Sequence, residues 1–181
     1  MTTADEPRWL TPEEQAAWLA LVGMFIELPH ALDAQLRRDS GFTHFEYQVL
    51  AELSDAPDRT VRMSELAART KGSLPRLSQV VRKLEGNGLV RRIPDSMDGR
   101  STLATLTDEG FRALVDAAPG HVEAARNYVF DALTAREVRQ LRDIGRKISA
   151  AIDTSVSSRD LPVSASPRGS GRRRSHPRED G

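Results

Sequence analysis

The chain has 181 residues, 39% of them apolar and 29% charged, which suits one soluble, helix-rich domain with a tail. It has no cysteine, so a disulfide framework, a thiolate nucleophile and a cysteine redox sensor are excluded. Its formal net charge of zero hides a division, because residues 1–57 hold 3 basic and 10 acidic side chains while residues 58–100 hold 10 basic and 5 acidic. A basic centre between acidic flanks is the footprint of a polyanionic partner when one element presents it.

Residues 1–10 form a polar N-terminal arm; Met1 to Arg8 do not read as a secretory signal, and no apolar run approaches the roughly 20 residues that span a bilayer. The expected compartment is the cytoplasm. Thr11, Pro12 and Glu14 then make a capping box with proline in the first turn, and Trp18, Leu21, Val22, Phe25, Leu28, Leu32 and Leu36 recur at helical spacing. Pro29 predicts a kink near Leu28. Thr43 and Glu46 repeat the capping box, with Phe42 and Tyr47 as hydrophobic staple, for a helix to about Leu53.

The period then changes. Thr60 to Arg62 reads as extended, Ser64 as the cap of a brief helix through Arg69, and Thr70-Lys71-Gly72 as a turn. Ser73 caps a second helix that has Pro75 in its first turn and ends at Gly86-Asn87-Gly88. Two strand-like runs follow, Leu89 to Ile93 and Ser101 to Leu106, joined by a loop from Pro94 to Arg100. Thr107 caps a long helix that Pro119-Gly120 is expected to kink or interrupt. Thr134 and Glu137 open a last helix with a seam of Val138, Leu141, Ile144, Ile148 and Ile152. From Ser155 the composition turns to Ser, Pro, Gly and Arg, so residues 155–181 are expected to be a disordered basic tail.

Helix, turn, helix and two-stranded ribbon in that order form a winged helix-turn-helix. At 100° per residue, Leu77, Val80, Val81 and Leu84 share one face of the second helix. Ser73, Pro75, Arg76, Ser78, Gln79, Arg82 and Lys83 are left to face double-stranded DNA. Arg76 and Gln79 are the candidate readers of base edges; Arg82, Lys83 and Arg91 are candidate phosphate contacts. On the ribbon, Arg91, Arg92 and Arg100 supply charge, and Asp98 is placed to orient Arg100 towards a minor groove. The alternative, a winged helix used only for protein contacts, would have no need of a basic recognition face.

The stretch RMSELAARTKGSLPRLSQVVRKLEGNGLVRRIPDSMDGRSTLATLTDEG resembles the winged-helix core of the multiple antibiotic resistance regulator (MarR) family. The likeness rests on SELA, VVRKLEGNGLVRR, the Asp98-x-Arg100 wing and LTDEG, and extends over roughly residues 11–153. It implies a mainly α winged helix-turn-helix fold spanning 11–154. The DNA-binding lobe would be about 43–106, and the helices at about 11–38 and 107–154 would form the dimerisation region. It further implies a homodimer on a pseudo-palindromic operator, usually repressing a nearby gene until a small-molecule effector relieves it. The family's ligand site lies between the helical region and the DNA-binding lobe, where Trp18, His30, His44 and Tyr47 are candidate linings.

Enzymatic chemistry finds little support. His30, His44, His121 and His176 show no metal-ligand spacing, and there is no phosphate-cradling glycine loop or nucleophile elbow, so no metal or cofactor is expected. The Arg172-Arg173-Arg174 run reads as a solvated tail.

Overall fold

The computed structural model describes residues 7–95, 98, 99 and 101–159. Two units divide the chain, one ending at Thr134 and one beginning at Ala135. The first holds α1 (Pro12–Ser40), α2 (His44–Ser54), a 3-10 turn (Pro57–Arg59), β1 (Thr60–Arg62), α3 (Met63–Arg69), α4 (Leu74–Gly86), β2 (Val90–Pro94), β3 (Thr102–Leu106), α5 (Asp108–Ala125) and a π-helical turn (Arg126–Phe130). The second is α6 (Ala135–Arg159).

The helix starts follow the capping chemistry. Thr11 accepts from the Glu14 N–H at 3.2 Å, and its own N–H donates to the Glu14 carboxylate at 2.8 Å. Thr43 and Glu46 close the same box at 3.1 and 2.8 Å. The Thr107 hydroxyl accepts from Gly110 N–H and donates to the Gly88 carbonyl, tying the start of α5 to the end of α4. Ser64 is not a cap: α3 starts one residue before it, after Arg62, with no side-chain cap bond.

Both prolines expected to disturb helices sit inside continuous ones. α1 runs through Pro29 and α5 through Pro119. α5 packs against α1, and at Gly120 an added Cβ would lie at contact distance, 3.4 Å from the Gln35 amide. Each proline removes one backbone hydrogen bond, and both helices continue through it. α6 likewise continues to Arg159, five residues into the expected tail; residues 160–181 lie outside the described residues.

The sheet has the order β1-β3-β2, antiparallel throughout, with Arg91 opposite Thr105 and Arg92 opposite Ala104. Its inner face carries Val61 and Ala104 into one core with Val49, Leu50 and Leu53 of α2, Leu66 of α3, and Leu77, Val81 and Leu84 of α4. The helix-turn-helix and the ribbon therefore move as one packed body on α2.

α1 corrects one expectation. It is long and apolar enough, by length and composition, to cross a membrane, because isolated polar residues break every consecutive apolar run without lowering the average much. Trp18, Leu19, Phe25 and Ile26 on it are more than half exposed within this single chain. A face of that kind signals a partner surface.

Candidate nucleic-acid interface

The turn between α3 and α4 rests on one ring. A Cβ on Gly72 would lie 2.7 Å from the edge of Phe45, so any larger residue there would have to displace that ring. The Arg76 guanidinium lies over the same ring, 4.2 Å from its centroid. Ser73 accepts from the Arg76 N–H at 3.4 Å and starts α4. Leu77, Val81 and Leu84 are then buried to within about 1% exposure, with Val80 half-buried beside them. The predicted core face of α4 is the observed one.

The polar face divides into three. Ser73, Pro75, Gln79 and Arg82 are exposed on the outside. Lys83 is drawn to one flank, where its ammonium lies 2.6 Å from the Glu46 carboxylate. That carboxylate is only 4% exposed, and its other oxygen takes the Thr43 N–H. Burial by itself pushes Glu46 up, but hydrogen bonds from Lys83 and Thr43 outweigh it and hold the group below its usual range. On the other flank Ser78 is half-buried, and Glu85 takes both the backbone N–H of Arg92 at 3.0 Å and its guanidinium at 2.6 Å. These hydrogen bonds hold the Glu85 carboxyl below its usual range.

Lys83, expected as a phosphate contact, and Arg92, expected to supply charge on the ribbon, are thus each paired with a glutamate. The capping box seen in the sequence occupies one Glu46 oxygen and leaves the other for a partner that only the fold supplies. Arg82 and Arg91 are exposed, and neither pairs with a carboxylate among the described residues. Arg91 projects from the sheet face opposite to Arg92, as strand alternation requires.

The wing loop is anchored at its base. Asp95 is buried at 6% exposure and lies 2.7 Å from the Arg62 guanidinium of β1. Its N–H donates to the Ser101 carbonyl, and the Ser101 hydroxyl donates to Asp98 at 2.7 Å. Arg100 lies outside the described residues, so the expected Asp98–Arg100 pair does too. A cleft of about 290 Å³ lined by Arg62, Ser64, Ser78, Arg92 and Thr102 separates α4 from the ribbon.

Behind the recognition surface lies a cavity of about 600 Å³ bounded by α1, α2 and α4. His30 and His44 line it, together with Arg37, Glu46, Arg76 and Gln79. Asp33 accepts from Arg37 at 2.6 Å and from the His44 N–H at 2.8 Å, and these bonds hold its carboxyl low. Trp18 does not line the cavity, being more than half exposed on α1. Tyr47 is also absent from its wall and packs instead on His121 of α5, ring centroids 4.4 Å apart. His121 was legible as a residue but not as a neighbour, because only the fold brings α5 beside α2.

Residues 40–101 match the MarR family profile. The chain is 36% identical over 110 residues to the HTH-type transcriptional repressor Rv2887 of Mycobacterium tuberculosis, covering 61% of this chain and 77% of that one. It is similar to Sco3205, a MarR family transcriptional regulator from Streptomyces coelicolor solved in complex with DNA. That structure has a TM-score of 0.78 and 44% identity over 82% of this chain and 92% of that one. CouR from Rhodococcus jostii RHA1, solved bound to p-coumaroyl-CoA, aligns with a TM-score of 0.62 and 27% identity over 75% and 92%.

Proposed function

This chain belongs to the MarR family of transcriptional regulators, and from that premise we propose that it is a ligand-responsive repressor that reads a pseudo-palindromic operator as a homodimer. The observation that carries the reading is α4. Its outer face presents the capping Ser73 together with exposed Pro75, Gln79 and Arg82, between two anchored flanks and beside a ribbon carrying Arg91. Gln79 has the amide geometry that pairs with adenine. Arg76, expected to read bases beside it, lies over the Phe45 ring. The exposed Arg82, expected on phosphate, is therefore reassigned here as the fork that pairs with guanine. Arg91 supplies charge for the backbone, and the wing tip is assigned to the minor groove.

The exposed Trp18, Leu19, Phe25 and Ile26 of α1 support a dimer, because a second copy would remove that apolar surface from water. The α6 seam of Val138, Leu141, Ile144, Ile148 and Ile152 is assigned to the same interface. The 600 Å³ cavity is the proposed effector seat. It shares Arg76 and Gln79 with the recognition helix, so an occupant would touch the element that reads DNA. Like its DNA target, the protein is placed in the cytoplasm.

Selection of bound sequences from random duplex DNA tests the reading. We expect a pseudo-palindrome with half-sites about one helical turn apart, roughly 10 base pairs. Binding that never distinguishes one duplex from another would leave the protein-contact alternative standing.

A further inference from the structure

A glutamate holds α4 on each side. At about 100° per residue, Arg76 and Lys83 flank the buried stripe on one side and Ser78 and Glu85 on the other, with Pro75, Gln79 and Arg82 between them on the outside. Glu46 takes Lys83 at 2.6 Å, and Glu85 takes Arg92 at 2.6 Å. Both carboxylates lie on a surface that has to attract a polyanion, and Glu46 is also almost wholly desolvated. A buried charge is costly unless it is paired and hydrogen-bonded, and Glu46 is held in both ways, by Lys83 and by Thr43.

Geometry supplies the reason. The stripe of Leu77, Val81 and Leu84 fixes which face of α4 is inside, and the two ion pairs act at the edges of that stripe. With side chains a helix is about 10–12 Å across, so a roll of about 10° moves a side-chain tip by about 1 Å. Base-edge recognition needs placement within roughly 0.5 Å. Two ion pairs acting from opposite flanks resist roll in both directions.

We propose that Glu46 and Glu85 are positioning residues for DNA reading: through Lys83 and Arg92 they set the roll of α4 and hence the direction in which Gln79 and Arg82 meet base edges. Lys83 and Arg92 are then struts, not phosphate ligands. The inference rests on the operator-reading role proposed above.

The experiment measures binding of the full chain to its selected operator and to scrambled DNA across a salt titration. The proteins are the parent, Glu46→Gln, Glu85→Gln, Lys83→Met, Lys83→Arg and the pair Glu46→Gln with Lys83→Met, each checked for helicity and dimerisation. Glu46→Gln and Glu85→Gln are expected to lose on the order of tenfold in operator preference, the scale of one charge-assisted hydrogen bond, with the salt slope unchanged. Lys83→Met should match Glu46→Gln, the charge-neutral pair should be no worse than either, and Lys83→Arg should retain preference.

The opposite results overturn the proposal. If the Glu→Gln variants bound the operator as well or better, with a slope steeper by about one, the freed cation would be a phosphate ligand. If Lys83→Met weakened operator and scrambled DNA alike with a shallower slope, the same conclusion would follow. Should Glu46→Gln fail to fold, Glu85→Gln and Lys83→Met decide the matter. A parent protein without operator preference would instead sink the DNA-reading role itself.

Discussion

His121 of α5 packs against Tyr47 of α2 with ring centroids 4.4 Å apart and planes tilted by 49°, and the same imidazole lies 5.7 Å from that of His44. Burial lowers both histidines from their ordinary value of 6.5, with Asp33 opposing it at His44 and the neighbouring His44 adding to it at His121. The unfolded chain therefore takes up protons near pH 6.5 that the folded chain refuses. Stability is unaffected well above that pH, falls as pH drops through it, and levels off below the folded values. Urea midpoints between pH 8 and 5.5 should fall for the parent and fall less for His121→Gln. Identical slopes for the two would show that the pair does not titrate in this range. The losses from Asp33, Glu46 and Glu85, whose carboxyls are held low, belong to a separate and more acidic window.

Gly110 sits in the first turn of α5, where an added Cβ would lie 2.1 Å from the Leu89 carbonyl oxygen. The obstructing atom is backbone, so it cannot swing away. Gly110→Ala should cost about 2–3 kcal/mol by overpacking, in spite of alanine's better helix propensity. Chemical denaturation measures it, and a variant as stable as the parent would mean that the α4–β2 junction yields freely.

On α4, Gln79→Ala and Arg82→Ala should each cost about 1–3 kcal/mol at the selected operator and flatten preference at particular base positions. Arg91→Ala should weaken all duplexes alike and reduce the salt slope by about one. Uniform weakening by Gln79→Ala, with preference intact, would remove it from the base-reading set.

Phe25, 60% exposed on α1, lies on the face assigned to the partner copy. Phe25→Asp should give a monomer at micromolar concentration in sedimentation, since burying an unpaired carboxylate is costly. Operator affinity should fall with it, because two half-sites are no longer engaged together. A variant that stays dimeric would place the interface elsewhere.

What the sequence by itself determined is local. Thr11, Thr43, Ser73 and Thr107 start helices because a hydroxyl satisfies N–H groups two or three residues away, and that chemistry is read without knowing the fold. The buried stripe of α4 follows from helical periodicity in the same way. The order of helix, turn, helix and ribbon, and with it the family, was likewise on the page.

Tertiary structure decided which polar residues are free. Arg76, Gln79, Arg82 and Lys83 look alike in the sequence, yet Lys83 meets Glu46 across 37 positions, and Arg76 lies on Phe45. Arg92 is drawn to Glu85, while its neighbour Arg91 remains exposed. Pro29 and Pro119 lie within continuous helices, which propensity does not register. Capping and periodicity act over one or two turns of chain, whereas an ion pair depends on where distant segments come to rest. The reading face of α4 is therefore what remains after its flanks have been tied to α2 and β2.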